Sequence, residues 1–147
     1  MLTARLLLCV DGSRASLEAG RAAIDLARQW GSHLRVIYVV ENAELDGSPD
    51  ADLVAQMRES GRAILARIAE MAQRAGVDVI QGLLEGVPFD TILDDARTWK
   101  ADIIVMGRTG RTGPGRVMLG SEAERVLEFT DRPVLIVPTL LGSAISS

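Results

Sequence analysis

The sequence predicts an α/β fold: a single domain built on a doubly wound, five-stranded parallel sheet with helices on both faces. Three observations predict it. Short apolar runs rich in Leu, Ile and Val alternate along the chain with longer stretches of helical periodicity. The short runs are continuously apolar, as expected of parallel strands buried on both faces and not of strands with one wet face. The chain of 147 residues carries no internal repeat, low-complexity tract or linker, so one layered domain over residues 1–147 accounts for it.

Each element has its own warrant. Arg5 to Val10 reads as a buried strand ended by Asp11-Gly12-Ser13. Ala15 to Trp30 repeats Leu17, Ala19, Ala23, Ile24 and Ala27 at helical spacing, and Gly31 stops it. His33 to Val40 is a second strand, and Glu41 to Asp50, polar and carrying Gly47-Ser48-Pro49, is a loop. Leu53 to Ala75 places Val54, Met57, Ile64, Leu65, Ile68 and Met71 on one side of a long helix stopped by Gly76. Val77 to Leu84 is a weaker third strand, and Gly86-Val87-Pro88 leads into a helix from Phe89 to Trp99. The fourth strand is Asp102 to Met106, the last helix Ser121 to Phe129, and the fifth strand Pro133 to Val137; the tail beyond about residue 139 is small, polar and expected to fray.

Composition removes several function classes. Hydrophobic residues make up 48% and charged residues 24%, which excludes a disordered chain, and the 3% of aromatics leaves the core to Leu, Ile, Val and Ala. A net charge of −4, with the basic residues scattered, argues against a nucleic-acid partner. No apolar run approaches a membrane span, and Leu6 to Val10 is too short for a signal peptide, so the expectation is a cytoplasmic protein without a membrane partner. Cys9 sits in an apolar strand and reads as a packed thiol; His33, the only histidine, opens a strand. Trp30 and Trp99 read as closing the ends of helices, and Asp94 and Asp95 as a solvated helix face.

The motif richest in chemistry follows the fourth strand. Val105-Met106-Gly107-Arg108-Thr109-Gly110 runs from an apolar strand into a glycine loop that ends, at Gly120-Ser121, on the start of the last helix. Glycines let backbone N–H groups turn toward a ligand, and a helix start adds unpaired N–H groups and positive potential, which together make a phosphate cradle. It is no Walker A loop, because Lys100 is the only lysine. The bland alternative is a loop using glycine for turns, with Ser121 and Glu124 as a capping box. Asp11 likewise sits at a strand end, where it or Ser13 could cap the first helix. Arg108, Arg111 and Arg116 are either phosphate partners or solvated loop residues, Arg111 being the best placed behind Gly110.

The spacing Gly107-x2-Gly110-x9-Gly120-Ser121 resembles the ATP-binding branch of the universal stress protein family. The resemblance extends from about Ala4 to Pro138 through Val10-Asp11-Gly12-Ser13, Gly86-Val87-Pro88, Glu124-Arg125-Val126-Leu127 and Arg132 to Pro138. It implies a sheet order of 3-2-1-4-5 and a homodimer formed partly through the last strand, Pro133 to Val137. It implies a stress-response protein that binds ATP, with Mg or Mn as the accompanying ion, and signals occupancy to a protein partner. Carried over by position, Asp11 contacts a ribose hydroxyl and the main chain around Val39 holds the adenine edge. Gly107 and Gly110 admit the ribose and phosphates, while Gly120, Ser121 and the N–H groups of Glu122 and Ala123 bind the phosphates. Two positions depart from the family's usual pattern: Glu122 replaces an apolar residue and should repel a triphosphate unless it turns away or joins a metal, and Ala123 lacks a hydroxyl often found there.

No Ser/His/Asp or Cys/His arrangement and no metal-ligand spacing is evident, so the expectation is a binder with at most slow ATP hydrolysis. Two alternatives stay open: an ATP-hydrolysing or adenylate-forming enzyme on the same fold, and a nucleotide-free dimeric interaction module.

Overall fold

A computed structural model describes residues 3–41, 51–108 and 119–139. The elements in chain order are β1 (Arg5–Cys9), α1 (Arg14–Trp30), β2 (His33–Glu41), α2 (Ala51–Arg74), β3 (Val79–Gly86), α3 (Pro88–Trp99), β4 (Ile103–Gly107), α4 (Ser121–Phe129) and β5 (Val134–Val137). The five strands form one sheet in the order β3-β2-β1-β4-β5, every pair parallel. β1 therefore sits at the centre, paired on one side with β2 (Cys9 opposite Ile37) and on the other with β4 (Leu8 opposite Val105).

The period-two alternation of a strand divides β1 between two cores. Leu6, Leu8 and Val10 join Val36, Tyr38 and Val40 beneath α1 and α2, where Ala19, Ala23, Leu65 and Ile68 complete the layer. Leu7 and Cys9 face the other way and join Ile37, Ile104 and Met106 beneath α3 and α4, with Ile92, Ala96, Ala123 and Val126. β1, β2 and β4 are thus buried on both faces, as the sequence predicted, whereas the edge strands β3 and β5 are partly exposed.

Most element boundaries differ from the sequence reading by one or two residues, and two of these shifts bear on the sheet. β2 extends one residue to Glu41, and β3 spans 79–86 where the sequence suggested Val77 to Leu84. The cause of the second shift is the end of α2. Gly76 takes φ +74, its N–H donates to the carbonyl of Gln73 (3.0 Å), and that of Val77 to the carbonyl of Ala72 (2.8 Å). This is a Schellman closure, which spends the apolar Val77 on covering the helix end instead of starting a strand. The same device ends α3, where Lys100 takes φ 60 and the N–H of Ala101 donates to the carbonyl of Ala96 (2.8 Å).

Asp95 is not part of a solvated helix face. The guanidinium of Arg35 on β2 donates Nε and Nη2 to its two carboxylate oxygens at 2.8 and 2.9 Å, and the two side chains are only 15% and 13% exposed. A bidentate pair at this depth fixes the rotation of α3 on the sheet. Trp99 closes α3 as expected and lies 4.6 Å beneath the Arg5 guanidinium, whereas Trp30, at the end of α1, remains exposed.

Candidate functional site

The strand order reverses at β1 and β4: from β1 the chain crosses to β2 on one side, and β4 leads to β5 on the other. In open parallel sheets a crevice forms beyond the strand C-termini at such a point. Asp11 follows β1 there, and Gly107 and Arg108 end β4.

The β1 exit is shaped by side chain to main chain bonds. The Ser13 N–H donates to Asp11 Oδ1 (2.8 Å), and the Asp11 N–H to Ser16 Oγ (3.3 Å). Ser13, not Asp11, is the N-cap of α1, its Oγ accepting from the Ser16 N–H at 3.1 Å. The Asp11 carboxylate instead closes an Asx turn that aims the chain out of the sheet and into the helix.

β2 runs past the end of β1. The Val10 N–H donates to the Ile37 carbonyl (3.1 Å), so Ile37 presents its polar groups to the β1 side. Two residues on, Val39 presents its N–H and C=O to the same side, beyond the last β1–β2 partners at Cys9 and Ile37. Polar main chain thus faces the crevice at the position singled out for an adenine edge.

Gly107 has a packing reason of its own. A Cβ there would stand 2.7 Å from both the carbonyl carbon and the oxygen of Ala15, in the first turn of α1. The absent side chain lets α1 sit against the end of β4, and this contact brings the β1 and β4 exits together.

After β4 the Arg108 N–H donates to the Val137 carbonyl (2.9 Å), and the Arg108 carbonyl accepts from the Gly120 N–H (2.7 Å). The second bond returns the chain to the sheet at the threshold of α4. Gly110, Arg111 and Arg116 lie outside the described residues. Arg108 does not; it is half-buried, and its Nε is without a hydrogen-bond partner among the described residues.

The capping-box reading of Ser121 and Glu124 is overturned. The N-cap of α4 is Gly120, at φ −67 and ψ 154, and the Glu124 N–H donates to the Gly120 carbonyl (2.9 Å) in the first intrahelical bond. Ser121 is already helical and exposed. Since Glu124 is the first intrahelical donor, the N–H groups of Ser121, Glu122 and Ala123 have no partner within the helix. The N-cap, being a glycine, supplies no side-chain bond to them. The residues present therefore fit an anionic group at this point.

Glu122 turns toward a neighbour. Its carboxylate accepts from the backbone N–H of Phe89 in the first turn of α3, a helix whose N-cap, Val87, supplies no side-chain bond. Its carboxyl is held above the usual carboxylate range, first by burial and then by the charge of Glu41, against the opposing pull of Arg125 and the Phe89 N–H. The Oε2 atom is buried without a hydrogen-bond partner among the described residues.

Other candidates fall away from the crevice. Cys9 is buried, and desolvation, then the charge of Asp95, pushes its thiol far above its ordinary value, so it is inert at neutral pH. His33 opens β2 opposite Arg5, at the far end of the sheet. Among the described residues no three His, Cys, Asp or Glu side chains gather as metal ligands, and no helix is long and apolar enough to cross a membrane.

Comparison with known proteins adds a family. Residues 3–138 match the universal stress protein family. A universal stress protein of Methanocaldococcus jannaschii, MJ0531, is 39% identical over 137 residues, covering 90% of this chain and 81% of that protein. Among solved structures, UspA of Lactobacillus plantarum superposes with a TM-score of 0.80 at 24% identity, over 93% of this chain and 99% of that one, a likeness of fold. A universal stress protein in complex with cAMP superposes with a TM-score of 0.70 at 26% identity, over 91% and 96% of the two chains.

Proposed function

The chain belongs to the universal stress protein family, and from that premise we propose that it is a nucleotide-binding regulatory protein of the family's ATP-binding branch. An adenine nucleotide occupies the crevice between the C-terminal ends of β1 and β4, and its presence is read by a protein partner. The observation that carries this reading is the start of α4: three N–H groups without a partner in the helix, opened by a glycine and held at the sheet's switch point by the Gly120–Arg108 bond. The Gly107-x2-Gly110-x9-Gly120-Ser121 spacing supports it, as does the cAMP complex of a relative with this fold.

In this reading the N–H groups of Ser121, Glu122 and Ala123 and the Ser121 hydroxyl take the phosphates, with Arg111 supplying charge. Asp11 takes a ribose hydroxyl, and the Val39 main chain the adenine edge. Gly107 and Gly110 keep the floor of the crevice free of side chains. Mg or Mn enters with a triphosphate. The protein works as a single cytoplasmic domain that pairs with a second copy through β5, and any ATP hydrolysis is slow.

Gly120→Val tests this directly. The backbone at φ −67 and ψ 154 is one that valine adopts without strain, so the fold should survive. The expected result is a parent-like circular dichroism spectrum and melting curve with ATP and AMP binding lost in calorimetric titration. A folded variant that binds both nucleotides like the parent would remove the phosphate cradle from the α4 start.

A further inference from the structure

The first turn of α4 bears Glu122 and Glu124 on the very helix end where phosphate charge would be neutralised, and the described part of that helix offers no basic residue in its last turn. Glu122 is the unusual one of the two. Its carboxylate is wedged between α4 and α3 with one oxygen buried, it accepts from the Phe89 N–H, and the Glu41 carboxylate at the end of β2 bears on it. Arg125 on its own helix offsets that charge in part, but its guanidinium is engaged over the Phe89 ring at 5.1 Å. Glu41 lies two residues beyond Val39, the position that the nucleotide reading gives to the adenine edge.

From this juxtaposition we infer that Glu122 is a specificity-determining residue, and that it makes the site favour adenine nucleotides with a short phosphate chain, AMP and its cyclic form, over ATP. The inference rests on the nucleotide reading above and names the ligand class within it. The bond from the Phe89 N–H draws the Glu122 carboxylate toward α3. The Glu122 charge still acts on the site, against that of Arg108 at the end of β4, and every further phosphate adds charge for it to repel. Glu41 strengthens the effect from β2 without touching α4.

The test is calorimetric titration of AMP and ATP, with EDTA present so that no divalent ion masks the phosphate charge. The parent is compared with Glu122→Gln and Glu41→Gln. The parent should bind AMP more tightly than ATP. Glu122→Gln, which keeps an oxygen for the Phe89 N–H, should shift the ATP-to-AMP affinity ratio about tenfold toward ATP, as two added charges interacting through a solvent-like medium require. Glu41→Gln should shift it the same way by less, and it keeps the test available if the α4 variant is unstable. On acidification the difference between the parent and Glu122→Gln should close as the Glu122 carboxyl takes up its proton. A purely structural role for Glu122 would not produce that change. A parent that prefers ATP, or a ratio that stays within about twofold of the parent's in Glu122→Gln with AMP binding intact, overturns the role of Glu122 alone. Failure of AMP and ATP to bind any of the three proteins overturns it together with the nucleotide reading.

Discussion

Asp11 and Ser13 divide two tasks at the end of β1. Ser13 caps α1, while the Asp11 carboxylate accepts the Ser13 N–H at the exit of β1. A carboxylate accepts several hydrogen bonds, so an Asx turn and a ribose contact are compatible. Asp11→Ala should therefore lower nucleotide affinity about tenfold to a hundredfold, the loss of a charge-assisted hydrogen bond of roughly 1.5–3 kcal/mol. Its effect on melting should be small, because the Ser13 cap remains. Calorimetric titration beside thermal melting checks this, and an unchanged affinity with a lowered melting temperature would leave Asp11 a turn residue only. At this scale the sequence is ambiguous for a physical reason. Asp-Gly-Ser puts two capping side chains within reach of one helix start, and Gly-Ser-x-x-Glu can begin its helix on the glycine or on the serine, since both serve as N-caps. Only the bond from the Glu124 N–H to Gly120 settles the second case.

Among the elements, the positions that matter most for the site are where α1 and α3 meet the sheet. Gly107 allows the Ala15 backbone to approach, and the atoms a Cβ would strike there are the Ala15 carbonyl group and its Cβ, none of which can swing aside. Gly107→Ala should destabilise the protein by about 1–3 kcal/mol, the usual cost of overpacking a tight contact. Urea unfolding would show this as a lowered midpoint with an unchanged slope; a parent-like midpoint would mean that α1 can lift off β4 freely. Hydrophobic periodicity makes all nine described elements legible, because burial on two faces marks the central strands and each helix keeps one apolar side. What it could not reveal were contacts between distant positions. Asp95 reads as solvated because its partner, Arg35, lies sixty residues away. The packing of Ala15 against Gly107 is likewise invisible from the sequence around Gly107. The third strand was misplaced by two residues because an apolar Val77 looks the same whether it starts a strand or closes a helix.

For the whole molecule, the sheet has two edges, and they differ in kind. β3 is crossed by the bidentate Arg58–Glu85 bridge at 2.9 and 3.1 Å and carries Gln81 in its middle, features that disfavour pairing with another strand. β5 is Val-Leu-Ile-Val, pairs only with β4 among the described residues, and leaves Leu135 37% exposed; Leu127 and Phe129 of the preceding helix α4 are exposed as well. An apolar edge strand with exposed large side chains nearby favours pairing with a second copy of the chain. Pairing two copies through β5 would also link their crevices mechanically. The Val137 carbonyl accepts the Arg108 N–H, and the Arg108 carbonyl accepts the Gly120 N–H that precedes α4. Sedimentation equilibrium at micromolar concentration should therefore return a dimer mass, and Leu135→Lys should return a monomer that retains its circular dichroism spectrum. A parent that sediments as a monomer would exclude β5 as the route by which nucleotide occupancy reaches a second copy.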